Sequence, residues 1–140
     1  MILRRLTGWS LIATGAIVAV HTIVEPLYHV TTETEPFSPL WYLLDALMAI
    51  AIAVGVVFVG ARKVRLDTDA DLKEFLTVNT QFYGLLFIGI LFYWNWFVTL
   101  SPGYTTPGSD TVALVWMLID GALPLLLAAI GVHLARQPGG

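Results

Sequence analysis

Four long apolar runs alternate with short polar segments along the 140-residue chain. The runs cover residues 6–24, 40–60, 82–100 and 112–134. Each is about 19 to 23 residues long, enough for a helix to cross a hydrocarbon core of about 30 Å. The pattern predicts an all-α integral membrane protein that forms a four-helix transmembrane bundle in one domain, residues 1–140.

Local signals at the ends of the runs refine the predicted helices, which cover about residues 5–28, 39–61, 71–100 and 110–135. Ser38-Pro39 offers an N-cap followed by a proline at the first helical position of the second helix. Asp71 and Glu74 have the spacing of a capping box that opens the third helix.

The charged residues are segregated along the chain. All seven Lys and Arg residues fall near the termini or in the middle loop: Arg4, Arg5, Arg62, Lys63, Arg65, Lys73 and Arg136. The other two loops carry acidic residues instead. The positive-inside rule therefore predicts that both termini and the middle loop are cytoplasmic, and we expect a prokaryotic plasma membrane.

Two segments share a pattern that predicts an internal repeat. Trp41-Tyr-Leu-Leu-Asp45 is matched by Trp116-Met-Leu-Ile-Asp120 at a spacing of 75 residues. Upstream, a spacing of 74 aligns His21 with Asn95. We expect two related helical hairpins that form a parallel repeat about an axis along the membrane normal.

One polar residue of each predicted helix falls at a similar depth: His21, Asp45, Asn95 and Asp120. An aspartate at the bilayer centre costs about 2.5–3.5 kcal/mol on insertion scales, so these side chains should face inward. Three interpretations are open. The cluster holds the helices in register by hydrogen bonds, or it forms a contact that another membrane subunit completes, or it binds protons, a metal or a small ligand.

The spacing His21-x3-Glu25-x3-His29 is the strongest metal candidate. On an unbroken helix these side chains lie on one face, and imidazole plus carboxylate suits zinc, copper or iron. Pro26 disfavours helical geometry at Glu25, which supports the alternative of an interfacial helix end. The absence of cysteine excludes thiolate ligands, and a haem between helices would want a second deep histidine where Asn95 stands.

Four tryptophans lie in the predicted outer half of the bundle: Trp41, Trp94, Trp96 and Trp116. They indicate either an interfacial aromatic belt or a partner interface. Trp94-Asn95-Trp96 presents aromatic rings to two sides of one helix, so at least one ring should face protein. We assign all four to a candidate partner interface within the bilayer.

Composition limits the function classes. Hydrophobic residues make up 57% of the chain and charged ones 12%, which leaves too little extramembrane mass for a soluble catalytic domain. The few basic residues do not favour nucleic-acid binding. We predict a non-catalytic accessory or structural subunit that packs against a larger integral-membrane complex, such as an energy-transducing or oxidative one. The alternative is a stand-alone carrier or proton- or metal-binding protein that uses His21, Asp45, Asn95 and Asp120.

Overall fold

The computed structural model describes residues 2–101 and 109–136, which form four α-helices and no strands. The helices are α1 (Ile2–Tyr28), α2 (Leu40–Val64), α3 (Leu72–Leu100) and α4 (Ser109–Arg136). Each is long and apolar enough to cross a membrane, which suggests a membrane protein. The predicted all-helical class and the four candidate spans are confirmed.

The helix α2 begins one residue later than predicted. Pro39 occupies the N-cap position, where no side-chain cap is seen in the described part of the chain. The Ser38 hydroxyl instead accepts the Leu40 N–H at 3.3 Å. Ser38 therefore still satisfies a backbone donor of the first turn of α2, as its residue type predicts.

The predicted capping box of α3 is wrong. Asp71 is the N-cap residue, but among the described residues its side chain makes no cap hydrogen bond. Glu74 instead forms an ion pair with Arg62, near the end of α2, at 3.3 Å. A charge-assisted contact with a guanidinium is stronger than a bond to a neutral backbone N–H, so the interhelical pair replaces the local one.

Glycines bring the backbones of α1 and α4 into contact. A Cβ added at Gly8 would lie 2.6 Å from the Gly131 carbonyl oxygen, and one added at Gly131 would lie 2.5 Å from the Gly8 oxygen. Farther along, a Cβ at Gly15 would lie 3.0 Å from the Pro124 oxygen. The two helices are thus antiparallel, and no larger residue fits at their closest points. In a bilayer, such close packing drives helix association.

The α2 and α3 helices form the second antiparallel pair. Gly55 lies against Leu85, and the Tyr93 hydroxyl donates to the Ala49 carbonyl at 2.5 Å. This register places Asp45 level with the Asn95 region of α3. An apolar core fills the space between the helix pairs, with these largest members: Met48, Ile52, Leu85, Phe92, Ile119, Leu123 and Leu127.

The α2 and α4 helices run in the same direction and touch in the core. A Cβ at Gly55 would lie 3.9 Å from Ile130 Cδ1. The spacing of these two residues equals that of Asp45 and Asp120. Because the helices are parallel, the two aspartates lie at about the same level of the bundle.

The glycine contact predicts a difference between two alanine substitutions in α4. Gly131→Ala forces a methyl group into the α1 backbone and should lower the free energy of unfolding by about 1–3 kcal/mol. Gly121→Ala is the matched control, because a Cβ there meets nothing within 4 Å among the described residues. It should be neutral or stabilising by up to about 1 kcal/mol, since alanine is the better helix former. Thermal unfolding in mild detergent measures both, and equal effects would contradict the α1–α4 packing.

Candidate functional site

A single carboxylate joins the end of α1 to the start of α2. Glu25 Oε1 accepts the Ser38 backbone N–H at 2.7 Å, and Oε2 accepts the Trp41 indole N–H at 2.8 Å. Both oxygens of a half-buried charge are therefore used. Hydrogen bonds to an ionised acceptor are roughly twice as strong as neutral ones. Glu25 fixes the connection between the first two helices.

Pro26 does not interrupt α1, contrary to the expectation from its residue type. The helix continues through it to Tyr28, and the His29 N–H donates to the Glu25 carbonyl at 2.9 Å. Glu25 therefore stays on the last helical turn. Its side chain lies on the same face as His21, one turn earlier.

His21 is part of the same polar group. Its ring meets the Trp41 indole edge to face, with ring centroids 4.6 Å apart, and its Nε2 is hydrogen-bonded to the Tyr28 hydroxyl. That hydroxyl donates to Ser38 Oγ at 3.1 Å. With this direction of donation, Nε2 carries the imidazole proton and Nδ1 is left as an acceptor. We call His21, Glu25, Tyr28, Ser38 and Trp41 the Glu25 network.

The predicted metal set does not come together. His29 lies beyond the last residue of α1, and its Nε2 donates to the Glu35 carbonyl at 3.1 Å. Glu25 is bound to Ser38 and Trp41. No group of three His, Asp or Glu side chains within residues 2–101 and 109–136 has the arrangement of a metal site. The spacing of four residues per step requires a helix that includes His29, whereas α1 ends one residue earlier, at Tyr28.

Asp45 and Asp120 are both buried, each with 8% of its surface exposed. The charges of Asp45 and Glu25 both act on the Asp120 carboxyl. The α1–α4 register also brings His21 to within about one helical turn of the level of Asp120. His21, Asp45 and Asp120 therefore lie at similar levels of the bundle, with Glu25 about one helical turn from His21.

Asn95 is fully buried but has a different neighbour. Its amide nitrogen donates to the Val112 carbonyl at 3.4 Å, a long hydrogen bond. Val112 lies eight residues before Asp120, about 12 Å away along α4. Asn95 is therefore hydrogen-bonded to the beginning of α4 and, among the described residues, to none of the carboxylates.

Three buried polar atoms have no hydrogen-bond partner within the described residues: His21 Nδ1, Asn95 Oδ1 and Asp120 Oδ1. More than nine in ten buried polar groups in proteins are paired, and an unpaired one costs about 1–3 kcal/mol. All three atoms belong to the cluster predicted from the sequence. Each of these atoms can still form a hydrogen bond, and the Asp120 oxygen can also bind a cation.

The four tryptophans of the predicted partner interface are not equivalent. Trp41 packs on His21, while Trp96 and Trp116 lie with ring centroids 5.6 and 5.7 Å from that of Phe92. These three are half-buried within the bundle. Trp94 is the most exposed of the four, with 40% of its surface accessible.

Sequence reasoning missed two members of the Glu25 network. Tyr28 stands seven residues after His21, a spacing that returns to the same helical face. That spacing was the available signal for the imidazole–phenol contact. Ser38 was assigned only as a cap, because its contact with Tyr28 depends on how the loop between α1 and α2 folds back.

The Glu25 network predicts a measurable coupling between two side chains. Trp41→Phe removes the indole donor and should cost about 1–3 kcal/mol of unfolding free energy, because one carboxylate oxygen is left unpaired. Glu25→Gln should cost a similar amount. The double variant should lose less than the sum, since both changes remove one interaction. Glu33→Gln, in the exposed loop, is the control and should change nothing. Additive losses, measured by thermal unfolding in detergent, would disprove the contact.

No protein-family model, characterised protein or solved structure matches this chain.

Proposed function

We propose that this chain is a non-catalytic accessory subunit that packs through α3 against a larger integral-membrane complex, such as an energy-transducing or oxidative one. The observation that carries the proposal is a continuous exposed face on α3. Its members follow one another at steps of three and four residues, which is the spacing of a single helical face: Tyr83, Phe87, Ile90, Trp94 and Phe97. We call it the α3 stripe.

The α3 stripe has the chemistry of a protein interface. Four of its five members are aromatic, and aromatic residues are enriched at the centres of interfaces, where they contribute most of the binding energy. Trp94 lies between Ile90, which is 63% exposed, and Phe97, which is 57% exposed. An aromatic belt would account for Trp94 near a membrane surface, but not for phenylalanines along the whole span.

Apolar side chains continue along α3 beyond the stripe. Leu72, Phe75 and Leu76 at the start of the helix are all about half exposed or more. From Leu72 to Phe97 the helix extends about 38 Å, compared with a hydrocarbon core of about 30 Å. Lipid chains would not cover the whole apolar face of α3 if the helix lies along the membrane normal. A neighbouring subunit that also extends beyond the hydrocarbon core would cover it.

Two further features belong to the proposal. We infer that both termini are cytoplasmic, in a prokaryotic plasma membrane, because Arg62, Lys63 and Arg65 mark the end of α2 nearest the chain termini. We also infer a repeat of two parallel hairpins. The contact of Gly55 with Ile130, at the same spacing as Asp45 and Asp120, supports it.

The accessory role predicts that one exposed tryptophan matters and another does not. Trp94→Ala should release the tagged protein from its companions when membranes are solubilised in mild detergent, with a loss of 30-fold or more if it is a hot spot of about 2 kcal/mol. Phe87→Ala should weaken the association in the same way. Trp9→Ala removes an even more exposed indole from α1, 59% against 40% for Trp94, and is the matched control.

Quantitative mass spectrometry of the co-purified proteins decides the outcome. If the wild type purifies alone, or if Trp9→Ala and Trp94→Ala have equal effects, α3 is not the docking face. Normal insertion of each variant is checked by its thermal unfolding, which should match that of the wild type because the side chains touch little of the bundle.

The unpaired buried atoms favour a second candidate, a stand-alone carrier or binding protein with a site for protons or a small polar ligand within the bundle. Asp120 Oδ1 and His21 Nδ1 both lack a partner in the described part of the chain. Asp45 and Glu25 act electrostatically on Asp120, so a bound proton or a small cationic group would relieve repulsion there. The metal form of this candidate has no assembled ligand set among the described residues.

Asp120→Asn separates the binding role from a structural one. If Asp120 exchanges protons, infrared difference spectra between acidic and neutral buffer should show a buried carboxyl band that disappears in this variant. Asp110→Asn, at the exposed start of α4, should keep the band. A purely structural Asp120 would instead show no such band, and its substitution would change the free energy of unfolding by about 1–3 kcal/mol. Asp45→Asn tests whether Asp45, which lies at the same level of the bundle, gives the same result as Asp120.

A further inference from the structure

A cavity of about 510 Å³ opens at the end of the bundle where α2 ends and α3 begins. Residues from all four helices and from the α2–α3 turn line it. The cavity lies at the opposite end of the bundle from the Glu25 network, and its residues are not members of the α3 stripe. Its function is therefore independent of the proposed accessory role.

Basic side chains from four different segments meet at this cavity. Arg4 comes from α1, Arg62 from α2, Arg65 from the turn after it and His133 from α4. Arg62 is held in place, with its guanidinium donating to Glu74 at 3.3 Å and to Gln81 at 3.4 Å. Guanidinium groups present several donors in a planar fork that matches the oxygens of a phosphate.

The floor of the cavity is apolar. Phe58, Val59, Ile130 and Leu134 line it, and the last three are almost fully buried. A free anion would gain nothing from these side chains. A ligand with a charged group and an adjoining apolar part would contact both regions at once.

Acidic side chains restrict the charge of the ligand. Asp67, Asp69 and Glu74 also line the cavity. Glu74 is paired with Arg62, but Asp67 and Asp69 are exposed in the turn and repel additional negative charge. A phosphodiester carries one negative charge, whereas a terminal phosphate group carries about 1.5 to 2 at neutral pH. The lining therefore favours the phosphodiester.

We propose that this cavity binds the phosphodiester head group of a membrane phospholipid, with the arginines on the phosphate and the apolar floor against the glycerol and the first part of the acyl chains. Basic pockets between transmembrane helices are known to take anionic lipid head groups.

Native mass spectrometry of the full chain in dodecyl maltoside, which contains no phosphate, tests the ligand class. We expect dioleoylphosphatidylglycerol to form a saturable one-to-one adduct. Dioleoylglycerol, which has the same acyl chains but no phosphate, should bind at least tenfold more weakly. Inorganic phosphate should also bind at least tenfold more weakly, because it lacks the apolar part. If dioleoylglycerol binds as tightly as dioleoylphosphatidylglycerol, the proposal is wrong. If inorganic phosphate binds as tightly, the cavity is a site for free phosphate and not for a lipid head group.

Matched arginine variants locate the adduct. Arg4→Gln and Arg65→Gln should each weaken phosphatidylglycerol binding about tenfold, as expected for the loss of one charge-assisted contact worth about 1.4 kcal/mol. Arg5→Gln is the control, because Arg5 carries the same charge one residue away and does not line the cavity. Equal losses in Arg4→Gln and Arg5→Gln would show general surface attraction and would refute the site.

Thermal unfolding without added lipid accompanies each variant. Arg65→Gln should unfold within a few degrees of the wild type, because Arg65 is exposed on the rim. Added phosphatidylglycerol should then raise the midpoint of the wild type and of Arg5→Gln more than that of the cavity variants. Identical increases in all four proteins would count against the cavity as the binding place.

Discussion

The backbone contact between α1 and α4 is the constraint on which the remaining side-chain positions depend. In a bilayer, apolar side chains gain little by leaving lipid, so helix association depends on close packing and on polar contacts. Gly8, Gly15 and Gly131 allow an approach that no side chain could share. That approach fixes the antiparallel register of the two helices. The register in turn sets His21 near the level of Asp120, and α2 and α3 then pack against this pair.

The two hairpins use their buried polar groups differently. In the first, Glu25 accepts two hydrogen bonds from the start of α2, which offsets much of the cost of burying its charge. The spacing that aligns His21 with Asn95 puts Thr99 where Glu25 stands, and Thr99 donates only to the Asn95 carbonyl of its own helix. Among the described residues, the second hairpin has no equivalent carboxylate bridge, and both Asn95 and Asp120 keep an oxygen without a partner. Unpaired polar atoms therefore remain in both hairpins, since His21 Nδ1 also lacks a partner in the described part of the chain.

The sequence predicted what depends on one helix at a time. Four spans follow from the length of the apolar runs, and the inward position of Asp45 and Asp120 follows from the cost of a charge in lipid. The features that the sequence did not predict depend on contacts between two helices. Glu74 fits a capping box locally, but Arg62 on the neighbouring helix binds it instead. The depth of Asn95 was estimated by counting residues along α3 alone. Its actual neighbour is Val112, because the way in which α3 crosses α4 decides which residues come into contact.

Lys63 connects the charged end of the bundle with the α3 stripe. It follows Arg62, a cavity residue, and its ammonium is hydrogen-bonded to Asn79 and lies 4.7 Å from the centre of the Tyr83 ring. A cation over an aromatic face is worth about 0.5 to 2 kcal/mol, depending on how well water is excluded. The contact holds the ring that begins the stripe against the end of α2. A ligand that rearranged Arg62 would therefore act next to the residue that positions Tyr83.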